Sequence, residues 1–281
     1  MMNNTITKTI NVRGRLVSLE RPLVMGILNI TPDSFYETSR CIDIQKALER
    51  AQQIIDDGGD IIDIGAYSSR PGADDVSEEE EIARLRSVLP IIREEYPDAI
   101  ISVDTFRSSV ARYAVEECGV DIINDIMGGD GDEEMFSTIA QLKVPYVLMH
   151  MRGTPQTMQS KTDYSDVLVE MISYFSKKLN RLRLLGVSDV ILDPGFGFAK
   201  SLDQNYNIIK NLTDIAQFNL PLLVGISRKS MIYQPLNISP GESLVGTVAL
   251  NTIALAKGAD ILRVHDVKEC VETVKIFELS K

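Results

Sequence analysis

The chain has 281 residues, of which 44% are hydrophobic and 25% charged, and this composition is typical of a globular protein rather than a disordered one. A formal net charge of −11 argues against binding to nucleic acid or to an anionic membrane surface. No apolar run approaches the roughly 20 residues of a membrane span, and the N-terminus lacks the apolar core of a secretory signal. The three cysteines are far apart and odd in number, which favours a reducing cytoplasm and neither a zinc site nor a disulfide framework.

Short apolar runs alternate with helical patterns along the whole chain. Residues 8–20 come first, and their alternation of apolar and polar side chains predicts a short hairpin that plugs the bottom of a barrel. Eight candidate parallel strands follow, at 23–28, 61–64, 100–103, 121–124, 145–149, 189–192, 221–226 and 260–264. Between the second and third, Ser77 with Glu80 predicts a capping box, and the glutamates at 78–81 predict a solvated first helical turn.

The stop signals between these elements are regular. The even-numbered candidate strands follow glycines that are typical of helix ends, namely Gly58, Gly119, Gly186 and Gly258. The odd-numbered strands instead follow prolines, namely Pro22, Pro97, Pro145 and Pro221. Eight strands alternating with helices predict an α/β fold, a TIM (β/α)8 barrel with a short N-terminal β-hairpin, formed by residues 1–281 as a single domain. A doubly wound open sheet is the main rival, but no GxGxxG motif follows any strand.

Polar residues stand at the end of every predicted strand, which is where the chemistry of such a barrel occurs. In chain order they are Asn29, the segment 65–72 (GAYSSRPG), Asp104, Asn124 with Asp125, His150, Asp193, the segment 227–230 (SRKS), and Arg263 with His265 and Asp266. Any one of them could instead cap the next helix, and His150 fits a structural role equally well. Capping does not require Arg, Lys and His in one barrel mouth, so the whole set predicts a ligand site.

The polar strand ends fall into two chemical sets. Acceptors and one lysine could bind a flat heterocycle by its edge, namely Asp104, Asn124, Asp193 and Lys229. Donors that suit phosphate oxygens, provided that the histidine is charged, are Arg70, Arg263 and His265. Asn29 could join a diphosphate in holding Mg²⁺, which usually takes few protein ligands. Lys229 alone would also fit a Schiff-base aldolase, although its position beside Arg228 in a polar loop disfavours that interpretation.

Eight segments stand in order along residues 24–267: GILNITPDSF, SSRPGA, SVDT, IINDI, LMHM, DPGFGFAK, GISRKS and RVHDV. Together they resemble the signature segments of the dihydropteroate synthases. The resemblance implies a TIM-barrel transferase of folate biosynthesis that joins (7,8-dihydropterin-6-yl)methyl diphosphate to p-aminobenzoate, releases pyrophosphate, uses Mg²⁺, is the target of sulfonamides and forms a homodimer. A pterin-binding methyltransferase with a similar barrel and a non-catalytic pterin-binding paralogue remain as alternatives.

The resemblance also assigns roles to individual residues. The implied pterin pocket consists of the four residues expected to bind a heterocycle by its edge, here called the edge-binding set: Asp104, Asn124, Asp193 and Lys229. The implied diphosphate site consists of Asn29, Ser69, Arg70, Arg263 and His265, with Asn29 also near Mg²⁺. The implied p-aminobenzoate site consists of Arg70, Pro71, Phe198 and Ser230, and the implied positions in the first catalytic loop are Thr31, Asp33 and Ser34. Pyrophosphate would leave first, and the arylamine would then attack a pterin cation.

The chain departs from the family pattern in its loops. SFYETSR stands where SFSDGG is common, so that Glu37 lies near the position of the usual Asp. Tyr67 replaces a Glu, Ser69 a Thr and Ala199 a Gly. These changes affect loop contacts and sulfonamide affinity rather than the reaction. The segment 31–40 lacks apolar spacing and is predicted to be a loop that closes over the ligands, and the phenylalanines at 196 and 198 are interpreted as core or lid packing.

Overall fold

The computed structural model describes residues 7–30, 37–67 and 76–281. Two antiparallel strands, β1 (Thr9–Val12) and β2 (Arg15–Ser18), form the predicted N-terminal hairpin. The barrel strands are β3 (Leu23–Asn29), β4 (Ile61–Gly65), β5 (Ile100–Asp104), β6 (Ile122–Asp125), β7 (Tyr146–Met149), β8 (Val190–Asp193), β9 (Leu223–Val224) and β10 (Ile261–Val264). Each lies at one of the eight predicted positions, so the predicted alternation is confirmed.

The eight barrel strands pair in parallel in the order β8-β7-β6-β5-β4-β3-β10-β9. A bridge between Leu192 and Leu222 closes the ring, where the Leu192 N–H donates to the Pro221 carbonyl over 2.8 Å. Strand β9 is shorter than the predicted 221–226. The chain leaves the ladder after Val224 and enters a turn in which the Lys229 N–H donates to the Ile226 carbonyl over 3.1 Å.

Helices surround the strands and connect them. They are α1 (Glu37–Asp56), α2 (Glu78–Glu95), α3 (Ser108–Cys118), α4 (Met135–Leu142), α5 (Val167–Leu184), α6 (Leu202–Lys210), α7 (Leu212–Ala216), α8 (Ser230–Leu236), α9 (Leu244–Ala256) and α10 (Val267–Leu279), with 3₁₀ turns at Met158–Ser160 and Pro240–Glu242. Because α1 begins at Glu37, the predicted loop at 31–40 is wrong for its last four residues. Its first six lie outside the described residues.

The helix ends follow the local signals in the sequence. All four glycines that precede even-numbered strands have a left-handed backbone, and at Gly119 (φ +63°) the N–H donates back to the Val115 carbonyl over 3.1 Å. At the start of α2 the Ser77 hydroxyl accepts from the Glu80 N–H over 3.2 Å, as predicted. The Glu80 carboxylate pairs with Arg84 instead of returning to Ser77, so the predicted capping box forms in only one direction.

The bottom of the barrel is filled by apolar side chains. Ile10 and Val12 of the hairpin are 0% exposed and pack on the first inward-facing residues of the strands, among them Leu23, Ile61 and Ile261. Burying each such side chain stabilises the fold by about 1.5–3 kcal/mol relative to exposing it. The hairpin therefore plugs the barrel, as the sequence predicts, and confines ligand access to the opposite end.

Candidate active site

The inward-facing side chains change from apolar to polar halfway along the barrel. The lower layer contains Ile61, Ile122, Ile191 and Ile261. Because side chains alternate between the two faces of a strand, the residue two positions further along also points inward. On these four strands those residues are Asp63, Asn124, Asp193 and Arg263. The pleat of four separate strands thus places three acceptor-bearing side chains and one guanidinium together under the mouth.

Arg263 joins two of the carboxylates. Its Nε donates to Asp63 Oδ2 over 2.6 Å, and its Nη2 donates to Asp104 Oδ2 over 2.9 Å. Burial alone would lower the pKa of Arg263, but the two carboxylates outweigh it and raise that pKa. Burial also raises the pKa of Asp104 to about 7, with Arg263 opposing the shift and Asp63 adding to it. Asp104 can therefore gain or lose a proton near neutral pH. The two chemical sets expected from the sequence meet at Arg263, which is bonded to a member of the edge-binding set.

Asp193 and Lys229 form the opposite wall. Asp193 is 6% exposed, and its Oδ1 accepts from the Gly195 N–H over 2.7 Å. Burial raises its pKa, and the nearby Lys229 opposes that shift. Lys229 Nζ donates to the Phe196 carbonyl over 2.5 Å and lies 4.6 Å from the centre of the Phe198 ring. Burial lowers the pKa of Lys229 to about 8, against the attraction of Asp193.

His265 lies at the rim beside Ser227. Its Nδ1 is 3.1 Å from the Ser227 hydroxyl, which also accepts from the His265 N–H over 3.2 Å. Burial lowers the pKa of His265 to about 4, and the adjacent Arg263 adds to the effect. With this lowered pKa the neutral imidazole offers one ring N–H, and it acts as a charged donor only when it is protonated.

Several polar strand ends have structural partners instead of facing the mouth. Arg228 makes two hydrogen bonds to the Asp266 carboxylate, of 2.9 and 2.7 Å, and so ties β9 to β10. Asp125 accepts from the Tyr146 hydroxyl over 2.6 Å. His150 is 2% exposed and packs edge-on to Tyr174 at 5.0 Å between ring centres, and burial holds its pKa well below the usual value. These contacts support the structural interpretation for Arg228, Asp125 and His150.

The other predicted contacts within the described residues lie around the rim. Asn29 is the exposed last residue of β3. Its Oδ1 packs closely against Gly65, because a Cβ atom added to that glycine would lie only 3.3 Å from this oxygen. Ser230 is the partly exposed first residue of α8, and Phe198 is half-buried beside Lys229. Phe196, by contrast, is 0% exposed and belongs to the core.

Six predicted site residues lie outside the described residues: Thr31, Asp33, Ser34, Ser69, Arg70 and Pro71. They belong to the segments after β3 and β4. Both segments leave from the same end of the barrel as Asn29 and Asp104, because those strands are parallel neighbours.

Two charged residues under the mouth do not appear in the sequence-based site. Asp63 stands inside the apolar run IIDI and was interpreted as part of a strand, although strand alternation puts it on the inward face. Lys200 is 5% exposed, and its ammonium donates to the carbonyls of His150, Gly195 and Phe198 over 3.1, 2.9 and 2.9 Å. Burial lowers the pKa of Lys200 to about 7. This ammonium fastens the turn after β8 to the end of β7.

The glutamate run at the start of α2 is only partly solvated, and the expectation is wrong for Glu81. Glu81 is 0% exposed and forms an ion pair with Arg107. Arg107 also donates to the Val76 carbonyl over 2.6 Å, and its guanidinium lies 5.4 Å from the centre of the Tyr67 ring. One side chain thus contacts both residues that flank 68–75. Burial raises the pKa of Glu81, whereas Thr105 and Arg107 oppose the shift.

The described part of the barrel mouth has few side chains that could together bind a metal ion. Among the side chains that the structure describes, no three from His, Cys, Asp or Glu converge as a metal cage would require. The neutral amide oxygen of Asn29, exposed at the strand end, fits the alternative in which a bound diphosphate supplies most of the oxygen ligands of Mg²⁺.

This fold and this site define the class of protein. A parallel barrel whose mouth contains buried acceptors and cations is suited to a planar, hydrogen-bonding heterocycle, and residues 25–265 match the sequence profile of the family described as pterin binding enzyme. The dihydropteroate synthase of Escherichia coli K12 is 43% identical over 270 residues, which are 95% of each chain.

Solved structures agree with this similarity. The Yersinia pestis dihydropteroate synthase, solved with a sulfonamide drug complex, superposes with a TM-score of 0.90 at 40% identity, covering 97% of this chain and 98% of the other. The Xanthomonas albilineans enzyme, solved with 4-aminobenzoic acid, gives 0.89 at 33% identity and covers 98% of both. The chain belongs to the dihydropteroate synthase family, whose members are transferases of folate synthesis.

Proposed function

We propose that this chain joins (7,8-dihydropterin-6-yl)methyl diphosphate to p-aminobenzoate and releases pyrophosphate. The bond from the pterin methylene carbon to the diphosphate oxygen breaks, a bond from that carbon to the arylamine nitrogen forms, and the nitrogen loses a proton. The observation that carries the proposal is the convergence of acceptors and cations in one barrel mouth. The acceptors suit the edge of a heterocycle, and the cations suit the polar atoms of that ring and the diphosphate. The converging residues are Asp104, Asn124, Asp193, Lys229 and Arg263.

The pterin subsite consists of acceptors and one flexible cation. Asp193 and Asp104 accept from amino and ring N–H groups, and Asn124 supplies a neutral amide. Among the described residues the Phe196 carbonyl is the one hydrogen-bond acceptor of the Lys229 ammonium, so Lys229 can donate instead to a ring oxygen or nitrogen. Burial makes each of these bonds stronger than it would be in water and makes a mismatched ligand atom expensive.

The diphosphate subsite combines Arg263 and His265 with Asn29 and, from the segment outside the described residues, Ser69 and Arg70. The neutral His265 contributes a hydrogen bond rather than a charge. Arg263 is already shared between two carboxylates through Nε and Nη2, and its remaining N–H groups are available to the leaving group. We propose that pyrophosphate leaves before the arylamine attacks, with Arg263, His265 and Asn29 binding its oxygens.

The p-aminobenzoate subsite is formed by Phe198 and Ser230, together with Arg70 and Pro71 and the first-loop residues Thr31, Asp33 and Ser34. Phe198 offers a half-buried aromatic face beside Lys229, and Ser230 offers a partly exposed hydroxyl. The support for this assignment is chemical complementarity to an aryl carboxylate and the 4-aminobenzoic acid in the solved Xanthomonas relative.

Magnesium would be held by Asn29 and by the diphosphate. When bound, Mg²⁺ would neutralise negative charge on the departing pyrophosphate. Asn29 would orient that end of the ligand, while Arg263 and His265 bind the remaining oxygens. Depletion of divalent cations should therefore weaken diphosphate binding and leave the affinity for a pterin without diphosphate unchanged.

A cytoplasmic homodimer completes the proposal. Cys118 and Cys270 are free buried thiols, which fits a reducing compartment. In the described part of the chain no helix is long and apolar enough to span a membrane. Helices α8 to α10 expose large apolar side chains, among them Leu236 (56%), Val245 (80%), Ile253 (42%), Ile276 (69%) and Leu279 (85%). A second copy of the chain would cover them, and the molar mass in solution tests this assignment.

Pyrophosphate release by the purified protein tests the proposed reaction. With pterin diphosphate and p-aminobenzoate together, pyrophosphate and dihydropteroate should form in equal amounts, and Asp193→Asn should reduce both. Pterin binding without turnover would support the non-catalytic paralogue, and methyl transfer without pyrophosphate release would support the methyltransferase.

A further inference from the structure

Asp63 is a buried charge with no role in the reaction as described so far. It lies in the middle of β4, is 0% exposed and belongs to the same inward-facing layer as Asn124 and Arg263. Its two oxygens contact Asn124 and Arg263, which come from two other strands. A buried carboxylate is costly unless it is paired, and this one is paired with two residues of the proposed binding site.

The contact with Asn124 fixes the direction of the amide. Asn124 Nδ2 lies 3.4 and 3.3 Å from Asp63 Oδ1 and Oδ2. An ionised carboxylate only accepts hydrogen bonds, so the NH₂ end of Asn124 must face it. The carbonyl end of the same amide then points the other way, and no described group donates to it. Asn124 therefore presents an acceptor to the ligand.

The contact with Arg263 fixes the guanidinium in the same way. Asp63 Oδ2 accepts a hydrogen bond from Arg263 Nε over 2.6 Å, and Asp104 Oδ2 accepts one from Arg263 Nη2 over 2.9 Å. The guanidinium is planar, so two bonded nitrogens determine its orientation. Among the described residues Nη1 of Arg263 has no hydrogen-bond partner. Nη1 can therefore donate a hydrogen bond to a bound anion.

We propose that Asp63 is a positioning residue that orients Asn124 toward the pterin edge and Arg263 toward the diphosphate, and so acts on both subsites. The inference rests on the proposed function, because it names what those two side chains are oriented for. It does not require Asp63 to touch either substrate.

Asp63→Asn is the test variant, because it keeps the size of the side chain and replaces one acceptor by a donor. The matched control is Ser102→Ala, since Ser102 pairs in register with Asp63 and is also 0% exposed, and its hydroxyl has no hydrogen-bond partner in the described part of the chain. By calorimetric titration, Asp63→Asn should weaken binding of a pterin without diphosphate at least tenfold, and of pyrophosphate by a similar factor. Ser102→Ala should change neither by more than twofold.

A double-mutant cycle separates positioning from general disturbance of the barrel. In an Asn124→Ala background, Asp63→Asn should weaken pterin binding by less than threefold, because the side chain through which Asp63 acts on the pterin edge is gone. An equal loss in both backgrounds would overturn the inference, as would an unchanged affinity in Asp63→Asn. The proposed function is judged separately, by pterin binding and pyrophosphate release in the unmodified protein.

A measurement on the unmodified protein covers the case in which Asp63→Asn fails to fold. The side-chain NH₂ protons of Asn124, assigned in amide NMR spectra through their loss in Asn124→Ala, should exchange slowly with solvent and shift little when pterin is added. Fast exchange, or a large shift on adding pterin, would mean that the NH₂ end faces the ligand and would overturn the inference.

Discussion

Replacing Arg107 by Ala removes the partner of a fully buried glutamate. Glu81 is 0% exposed, and its carboxylate pairs with the Arg107 guanidinium. Breaking such a pair from one side costs about 3–5 kcal/mol, because the remaining charge stays buried without compensation. For a chain of 281 residues that loss lowers the melting temperature by roughly 5–8 °C. The Val76 carbonyl, 2.6 Å from Arg107, loses a donor in the same variant.

The loss should depend on pH in a defined direction. Burial raises the pKa of Glu81 in the folded protein, and Arg107 opposes that shift. A carboxyl group with a raised folded pKa contributes stability below its unfolded value of 4.5, and this contribution is lost as pH rises through the folded pKa. Without Arg107 that pKa rises further. The difference between Arg107→Ala and the unmodified protein should therefore be larger at pH 8 than at pH 5.

Urea unfolding at the two pH values measures the effect. Arg112→Ala is the matched control, because Arg112 forms an i,i+4 pair with Glu116 across 3.1 Å, with side chains 41% and 50% exposed. Such a surface pair contributes about 0.3–0.5 kcal/mol. A loss in Arg107→Ala as small as in the control, or one that is larger at pH 5, would refute the reasoning. Adding Glu81→Gln to Arg107→Ala should restore part of the stability at pH 8.

Three further predictions concern the mouth. Asp193→Asn should weaken pterin binding at least tenfold in a calorimetric titration, since mispairing a buried polar group costs about 1–3 kcal/mol; an unchanged affinity would rule out its place in the pocket. Arg263→Ala should weaken both pterin and pyrophosphate binding, because it leaves Asp63 and Asp104 without their shared cation; a loss confined to pyrophosphate would contradict this. Burial depresses the folded pKa of His265, so between about pH 4 and 6.5 the unfolded chain binds the proton more tightly and stability rises with pH. His265→Gln should flatten that rise. Identical pH profiles of unfolding for the variant and the unmodified protein would show that His265 is not buried as described.

The elements of this fold could be predicted from the sequence because their signals are local. A glycine such as Gly119 ends a helix through its own backbone conformation, and the apolar periods need only a short window of sequence. The hairpin at 8–20 and all eight barrel strands are therefore confirmed. Errors occurred where contacts between distant segments decide the outcome. Strand β9 ends at Val224, where its pairing with the neighbouring strands ends. Glu81 is buried because it forms an ion pair with Arg107.

The site divides in the same way. Parallel strands bring their ends together, so Asp104, Asn124, Asp193 and Lys229 could be grouped from their positions alone. What only the tertiary structure decided is which groups pair and which are charged. Arg263 binds Asp63, a residue 200 positions away along the chain, and no local pattern contains both. Burial and neighbouring charges then move the pKa of Asp104 up to about 7 and that of His265 down to about 4. These shifts depend on solvent exclusion and on distances of a few ångströms, which exist only after the barrel has closed.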